Sequence, residues 1–166
     1  MYYILLWTHN FSRWLVLLSG VAAVGAAVWG MATRRDWGQV DKAIGVAFTS
    51  LFGLQVVLGL ILYFVSPAYG VRSLGRMGGG DAQAWFFGLY HIIMMLLALV
   101  VAQLGYSRAK RAETGRQAFR RALWGYTIGF VLMFLAIPWG IRPNWRPVAG
   151  IIWSPTDSAV ETLFQT

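Results

Sequence analysis

The chain has 166 residues, of which 58% are hydrophobic and 12% are charged. Soluble proteins are typically about 45–50% apolar and about 25% charged. This composition therefore excludes a soluble globular domain, a disordered chain and a coiled coil, and it indicates a membrane protein. The absence of cysteine also excludes disulfides and every cysteine-based metal or cofactor site.

Four continuous apolar runs predict transmembrane helices, at residues 5–33, 43–66, 84–106 and 122–141. A hydrocarbon core about 30 Å thick needs about 20 helical residues, and each run is long enough. Because the connections are short, we expect an all-α membrane protein with an up-down-up-down four-helix bundle in residues 1–141. Residues 142–166 are predicted to form an extramembrane tail.

The basic residues predict the orientation of the bundle. The connections after the first and third runs carry nine Lys and Arg residues, whereas the second connection and the tail carry four. Basic loops stay in the cytoplasm, so both termini are expected on the periplasmic side of a bacterial inner membrane. This topology and attraction to anionic lipid explain the net charge of +8 without a nucleic-acid partner.

Small residues at four-residue spacing predict helix contact faces, because they let two helix backbones approach closely in lipid. Three such patterns occur on the first, second and fourth predicted helices respectively: Ser19, Ala23 and Ala27; Gly45, Thr49 and Gly53; and Gly125 and Gly129. The second connection, residues 67–83, contains three consecutive glycines and is predicted to be flexible and external.

Three ionisable residues lie within or at the edge of the spans: His9, Arg13 and His91. Such residues are functional candidates by default, since charge is costly in lipid. Helices one and three run in the same direction, and each histidine lies about two turns from the outer end. We therefore expect the imidazoles to face one another, as the axial ligands of a noncovalent haem b do.

Arg13 follows His9 by one helical turn and either pairs with a haem propionate or a quinone, or extends to the outer headgroups. One observation opposes a shared haem. If Arg34 and Arg108 lie at one depth, His9 lies about 12 Å further along the bundle than His91. Two alternatives stay open: one histidine binds a haem or a chlorophyll-type magnesium, or neither histidine binds a cofactor.

Other polar residues give weaker signals. Gln55 and Gln103 are expected to hydrogen-bond across helices. Met94 and Met95 suggest copper, but adjacent helical residues point in different directions. The spans contain no catalytic triad, paired carboxylates or phosphate-binding loop, so an electron carrier or a complex subunit is favoured over a stand-alone enzyme.

The pattern of short motifs also resembles a known group. The motifs are His9-Asn10-Phe11-Ser12-Arg13-Trp14, the run QVVLGLILYF at residues 55–64, His91-Ile92-Ile93-Met94-Met95, and Ile137-Pro138-Trp139. They resemble small four-helix bacterial membrane proteins that are cytochrome b-like, and are broadly similar to the cytochrome b561 group. The resemblance implies a haem b protein of electron transfer with His9 and His91 as iron ligands. The two histidines of this chain can supply both iron ligands for one haem, whereas the cytochrome b561 pattern has two haems.

Two functions are therefore expected from the sequence. The first is a b-type membrane cytochrome with one haem near the outer face, which exchanges electrons with quinone or a periplasmic carrier. The second is a non-catalytic small subunit of a larger respiratory or photosynthetic membrane complex, which binds no cofactor of its own or contacts a pigment.

Overall fold

The computed structural model describes residues 2–139, and within them the protein contains helices and no strands. The α-helices are α1 Tyr2–Thr33, α2 Gln39–Val65, α3 Ala82–Trp85, α4 His91–Lys110 and α5 Gly115–Leu135. A 3-10 helix, Gly70–Gly79, precedes α3, and a π-helical turn, Phe86–Tyr90, joins α3 to α4. The predicted tail, residues 142–166, lies outside the described residues.

Three helices are long and apolar enough to cross a membrane: α1, α2 and the continuous helix Ala82–Lys110 formed by α3, the π turn and α4. Each corresponds to a predicted run and extends it by a few residues at one or both ends. Basic residues at those ends, such as Lys42 in α2, are helical because Lys and Arg are good helix formers.

The fourth predicted run is displaced in the structure. Helix α5 begins at Gly115, where the Thr114 hydroxyl accepts a hydrogen bond from the Gln117 amide at 3.3 Å, and it ends at Leu135. Arg116, Arg120 and Arg121 therefore belong to the helix and not to the third connection, which is a correction to the prediction. The uncharged part of α5 begins only at Ala122, which makes it shorter than the other apolar helices.

The long helices form a ring of four. Helix α1 packs against α2 and α5, and α4 packs against the same two helices. Consequently α1 and α4 are diagonal neighbours that face each other across the centre of the bundle. The core contains buried aromatic side chains, including Phe48, Phe52, Phe119 and Tyr126.

The closest helix contact is the seam between α4 and α5. A Cβ atom added to Gly105 would lie 2.6 Å from the Cα atom of Gly125, and one added to Gly129 would lie 2.8 Å from the Ala98 carbonyl oxygen. The contact face predicted at Gly125 and Gly129 is confirmed. Side chains at these glycines would separate the two backbones.

The other two small-residue patterns are confirmed only in part. Ala23, Ala27, Gly45 and Thr49 are buried. The prediction for Gly53 is wrong, because no atom lies within 4 Å of a Cβ built there. A four-residue spacing therefore locates the contact face, but a pattern can extend beyond the contact itself.

An ion pair between the half-exposed Arg35 and the buried Asp41 lies at the end of the bundle where α1 meets α2. The Arg35 guanidinium donates two hydrogen bonds to the Asp41 carboxylate, at 2.6 and 2.5 Å. The hydrogen bond from Arg35 to Asp41 raises the pKa of the guanidinium. The same carboxylate accepts the Gly38 amide at 2.9 Å, so it caps the first turn of α2 and joins the connection to the helix.

Candidate functional site

The structure brings together the two histidines that the sequence singles out. The ring centroids of His9 on α1 and His91 on α4 lie 6.5 Å apart, and the ring planes are inclined by 71°. The predicted offset of about 12 Å is therefore wrong. Arg34 already lies beyond the end of α1, whereas Arg108 still lies within α4, so these arginines are not equivalent depth markers.

His91 begins α4 directly after the π turn. Its Nδ1 atom lies 2.8 Å from the carbonyl oxygen of Ala136, the residue that caps the C-terminus of α5. The Tyr63 hydroxyl on α2 donates a hydrogen bond at 3.0 Å to the carbonyl of Gly88, which lies within the π turn. π turns inside helices often occur at functional sites, and this one immediately precedes His91.

His9 is held differently, through its backbone. The Gln55 side chain donates a hydrogen bond to the His9 carbonyl oxygen at 2.8 Å, and the Ser12 hydroxyl bonds to the Gln55 amide oxygen. The His9 Nδ1 atom is buried and has no hydrogen-bond partner among residues 2–139. The prediction that Gln55 bonds across helices is therefore confirmed, and it connects α2 to α1 at His9.

A glycine on α2 lies directly beside the His9 ring. A Cβ atom added to Gly59 would lie 3.0 Å from His9 Cε1. This distance is tighter than an ordinary van der Waals contact, so any side chain at Gly59 would displace the imidazole. The absence of a side chain there preserves the position of His9.

Both imidazoles line one cavity of about 140 Å³. Ligand sites in proteins are mostly apolar with a few placed polar groups. The apolar walls here include Val56, Leu60 and Met133. Arg13 lines the same cavity, and its guanidinium carbon lies 5.5 Å from the centroid of the Trp14 ring.

The segment that connects α2 to α3 was predicted to be flexible and external. Most residues of this segment are exposed, but Gly70–Gly79 form a 3-10 helix that packs against the π turn, and Ser73 is fully buried. Tyr69 and Gly70 line the cavity, so the segment forms part of its wall. The sequence pattern missed this because glycine-rich segments are usually loops.

The remaining candidates are Gln103, Met94 and Met95. Gln103 is exposed on α4 and has no hydrogen bond across helices in the described part of the chain, so that prediction is wrong. Met95 lines the cavity, whereas Met94 is not among its lining residues. No group of three His, Asp or Glu residues gathers to form a metal site within residues 2–139.

Several residues of the site carry no group that is charged at neutral pH and were therefore missed in the sequence. They are Ser12, Gly59, Tyr63 and Ala136. Gly59 lies four residues after Gln55, on the same face of α2, which is a signal that links the two positions.

Comparison of the chain with models of known protein families, with curated proteins and with solved structures gave no match.

Proposed function

We propose that the protein is a b-type cytochrome of electron transfer, which binds one haem b noncovalently between His9 and His91. The observation that carries the proposal is the pair of imidazoles, 6.5 Å apart and on diagonal helices of the bundle. Histidines on facing helices are a common way to build cofactor sites in helical bundles.

The separation of the rings fits a shared iron. An imidazole nitrogen binds a metal at about 2 Å, so two rings with centroids 6.5 Å apart are close enough to bind one metal ion together. The inclination of 71° between the ring planes does not oppose this, because two imidazoles that bind one metal can differ in rotation.

The donor set also favours haem over a bare metal ion. A protein site for a bare transition metal usually supplies three or four ligands, whereas no such cluster forms in the described residues. A haem would supply four nitrogens of its own, so two histidines would be enough to hold it. The buried, unpartnered Nδ1 of His9 and the lack of a side chain at Gly59 also fit an imidazole placed for a ligand.

The chain's own residues have distinct tasks in this proposal. A bound haem supplies the one-electron chemistry. His9 and His91 hold it, while apolar side chains such as Val56 and Met133 exclude water from it. Arg13 pairs with a propionate, for which a bidentate guanidinium is well suited. Ala136 and Gln55 orient the two histidines, at the imidazole and at the backbone respectively.

We further propose that all four long helices cross a bacterial inner membrane, with the Arg35 end in the cytoplasm and the histidine end towards the periplasm. The basic residues at the Arg35 end support this orientation. The short uncharged part of α5 is compatible with a span because long, exposed side chains such as that of Arg120 can reach the headgroups. A haem near the outer face would exchange electrons with quinone or a periplasmic carrier.

The test is the absorption spectrum of the purified protein and three variants, recorded as reduced-minus-oxidised differences. We expect sharp α and Soret bands for the wild type, with a haem-to-protein ratio near one. His91→Ala and His9→Ala alter or remove the bands, whereas Gln103→Ala, a polar change elsewhere on α4, retains them. A wild-type protein without these bands would exclude the proposal.

A further inference from the structure

We propose that the two imidazoles are unequal: His91 is the fixed ligand, and His9 is the ligand that a small neutral molecule can replace. This inference rests on the proposed haem site and concerns how the chain holds each side of it. It follows from a difference in the surroundings of the two rings.

The protonation of His91 is set by its neighbour. The Ala136 carbonyl oxygen only accepts hydrogen bonds, so the His91 Nδ1 atom 2.8 Å away carries the proton. The lone pair of the neutral ring is then on Nε2, which is the nitrogen left to bind a metal. A hydrogen bond of this kind fixes ring orientation and makes the ligand more basic.

The partner of His91 is itself rigid and electronegative. Ala136 is fully buried, and its amide donates to the Leu132 and Met133 carbonyls at 3.2 and 3.0 Å. Its carbonyl lies at the C-terminus of α5, the negative end of the helix dipole. Pro138, two residues further on, has no amide hydrogen to continue the helix. The C-terminal end of α5 therefore holds the His91 ring in place through the hydrogen bond to the Ala136 carbonyl.

His9 has no comparable support. Its Nδ1 atom is buried without a hydrogen-bond partner in residues 2–139, so no hydrogen bond in that part of the chain holds this nitrogen. The bond from the Gln55 side chain reaches the His9 backbone carbonyl and does not itself hold the ring. A ligand with no partner on its second nitrogen binds metal less tightly.

The space that the His9 ring occupies suits a replacement of similar or smaller size. The ring itself fills this space, with Cε1 3.0 Å from a Cβ built at Gly59, and Gly59 contributes no side chain to it. A molecule of imidazole size, or a smaller one such as carbon monoxide, fits where the His9 ring lies. The largely apolar walls of the cavity favour a neutral molecule, since the Arg13 guanidinium among the lining residues is expected to pair with a propionate.

The test removes each ring in turn and supplies free imidazole in its place. We expect His9→Gly, purified in millimolar imidazole, to recover haem and a six-coordinate low-spin spectrum. We expect His91→Gly under the same conditions to retain at least about tenfold less haem, because free imidazole lacks the oriented bond to Ala136. Circular dichroism verifies that both variants keep their helix content.

A second measurement uses chains that retain both histidines. Carbon monoxide added to the reduced wild type should displace His9 and shift the Soret band. Gln55→Leu should increase the bound fraction at subsaturating carbon monoxide, because it releases the His9 backbone. The control is Thr49→Val, which removes a buried hydroxyl bonded within α2 and should leave that fraction unchanged.

The outcomes separate the two proposals. A wild type that binds no haem overturns the proposed function itself. A wild type that binds haem, with equal recovery of both glycine variants in imidazole or better recovery of His91→Gly, overturns only the inequality. Indifference of the reduced wild type and of Gln55→Leu to carbon monoxide also contradicts a replaceable His9.

Discussion

The two ends of the helix bundle are packed differently: one is tight, and the other contains a cavity. At the Arg35 end, α4 and α5 approach until Gly105 and Gly125 are in backbone contact, and an ion pair closes the first connection. At the histidine end, the helices leave a cavity between two imidazoles, and irregular 3-10 and π segments form its wall. The comparison shows that the regular, tightly packed end stabilises the bundle while the irregular end holds the functional candidates.

The largest effect is expected at the packed end, from Gly105→Leu. The new side chain has no space against the Gly125 backbone and forces α4 and α5 apart, at a cost of about 3 kcal/mol or more. Thermal unfolding in detergent, followed by circular dichroism, measures the loss.

The matched control for this change is Gly53→Leu on α2. No atom lies within 4 Å of a Cβ built at Gly53, and leucine favours a helix over glycine by about 1 kcal/mol. We expect unchanged or slightly increased stability. Equal destabilisation by both leucines would show that close packing of α4 against α5 is not the cause of the loss in Gly105→Leu.

The second effect concerns the ion pair. Asp41→Asn removes the carboxylate that binds Arg35 and caps α2, and we expect a loss of about 1–3 kcal/mol. Denaturant titration measures it, and Asp36→Asn, an exposed change of the same charge nearby, should have little effect. If Asp41→Asn left the free energy of unfolding unchanged, helix packing alone would account for the stability of this end of the bundle.

The third prediction tests the open end through Gly59→Ala. The added methyl meets His9 Cε1 at 3.0 Å and displaces the ring, so we expect haem content to fall by about tenfold while stability changes by less than about 1 kcal/mol. Gly25→Ala on α1, where a Cβ meets no atom within 4 Å, is the control. Normal haem content in Gly59→Ala would contradict the claim that the absence of a side chain at this position is needed to place His9.

The smallest effect is expected from Tyr63→Phe. It removes the hydroxyl that donates to the Gly88 carbonyl within the π turn, at a cost of about 1 kcal/mol. Hydrogen exchange should show faster opening of residues 86–90 and no change at the α4–α5 seam. Uniformly faster exchange throughout the bundle would mean that the two ends are not independent.

The sequence predicts the helices well because their signal is repeated over many residues. Three apolar runs correspond to α1, α2 and Ala82–Lys110 within a few residues. The start of α5 was missed, since its first turns carry Arg116, Arg120 and Arg121 and look like a loop in a hydropathy pattern. Cap residues such as Thr114 are the better signal at such an end.

The site was predictable only where it involves rare residue types. His9 and His91 stand out because the chain has two histidines and both lie in apolar runs. Their hydrogen-bond partners did not stand out, since a backbone carbonyl such as that of Ala136 has no sequence signature. The distance between the rings was also out of reach, because it depends on where each helix ends and on the π turn before His91.

The most direct test of a shared iron is low-temperature electron paramagnetic resonance of the oxidised, purified protein. We expect a single low-spin signal typical of two imidazole ligands, with one haem per chain, and conversion to a high-spin signal in His9→Ala. A wild-type protein with a high-spin signal, or a His9→Ala variant with an unaltered low-spin signal, would contradict the binding of one haem by both histidines.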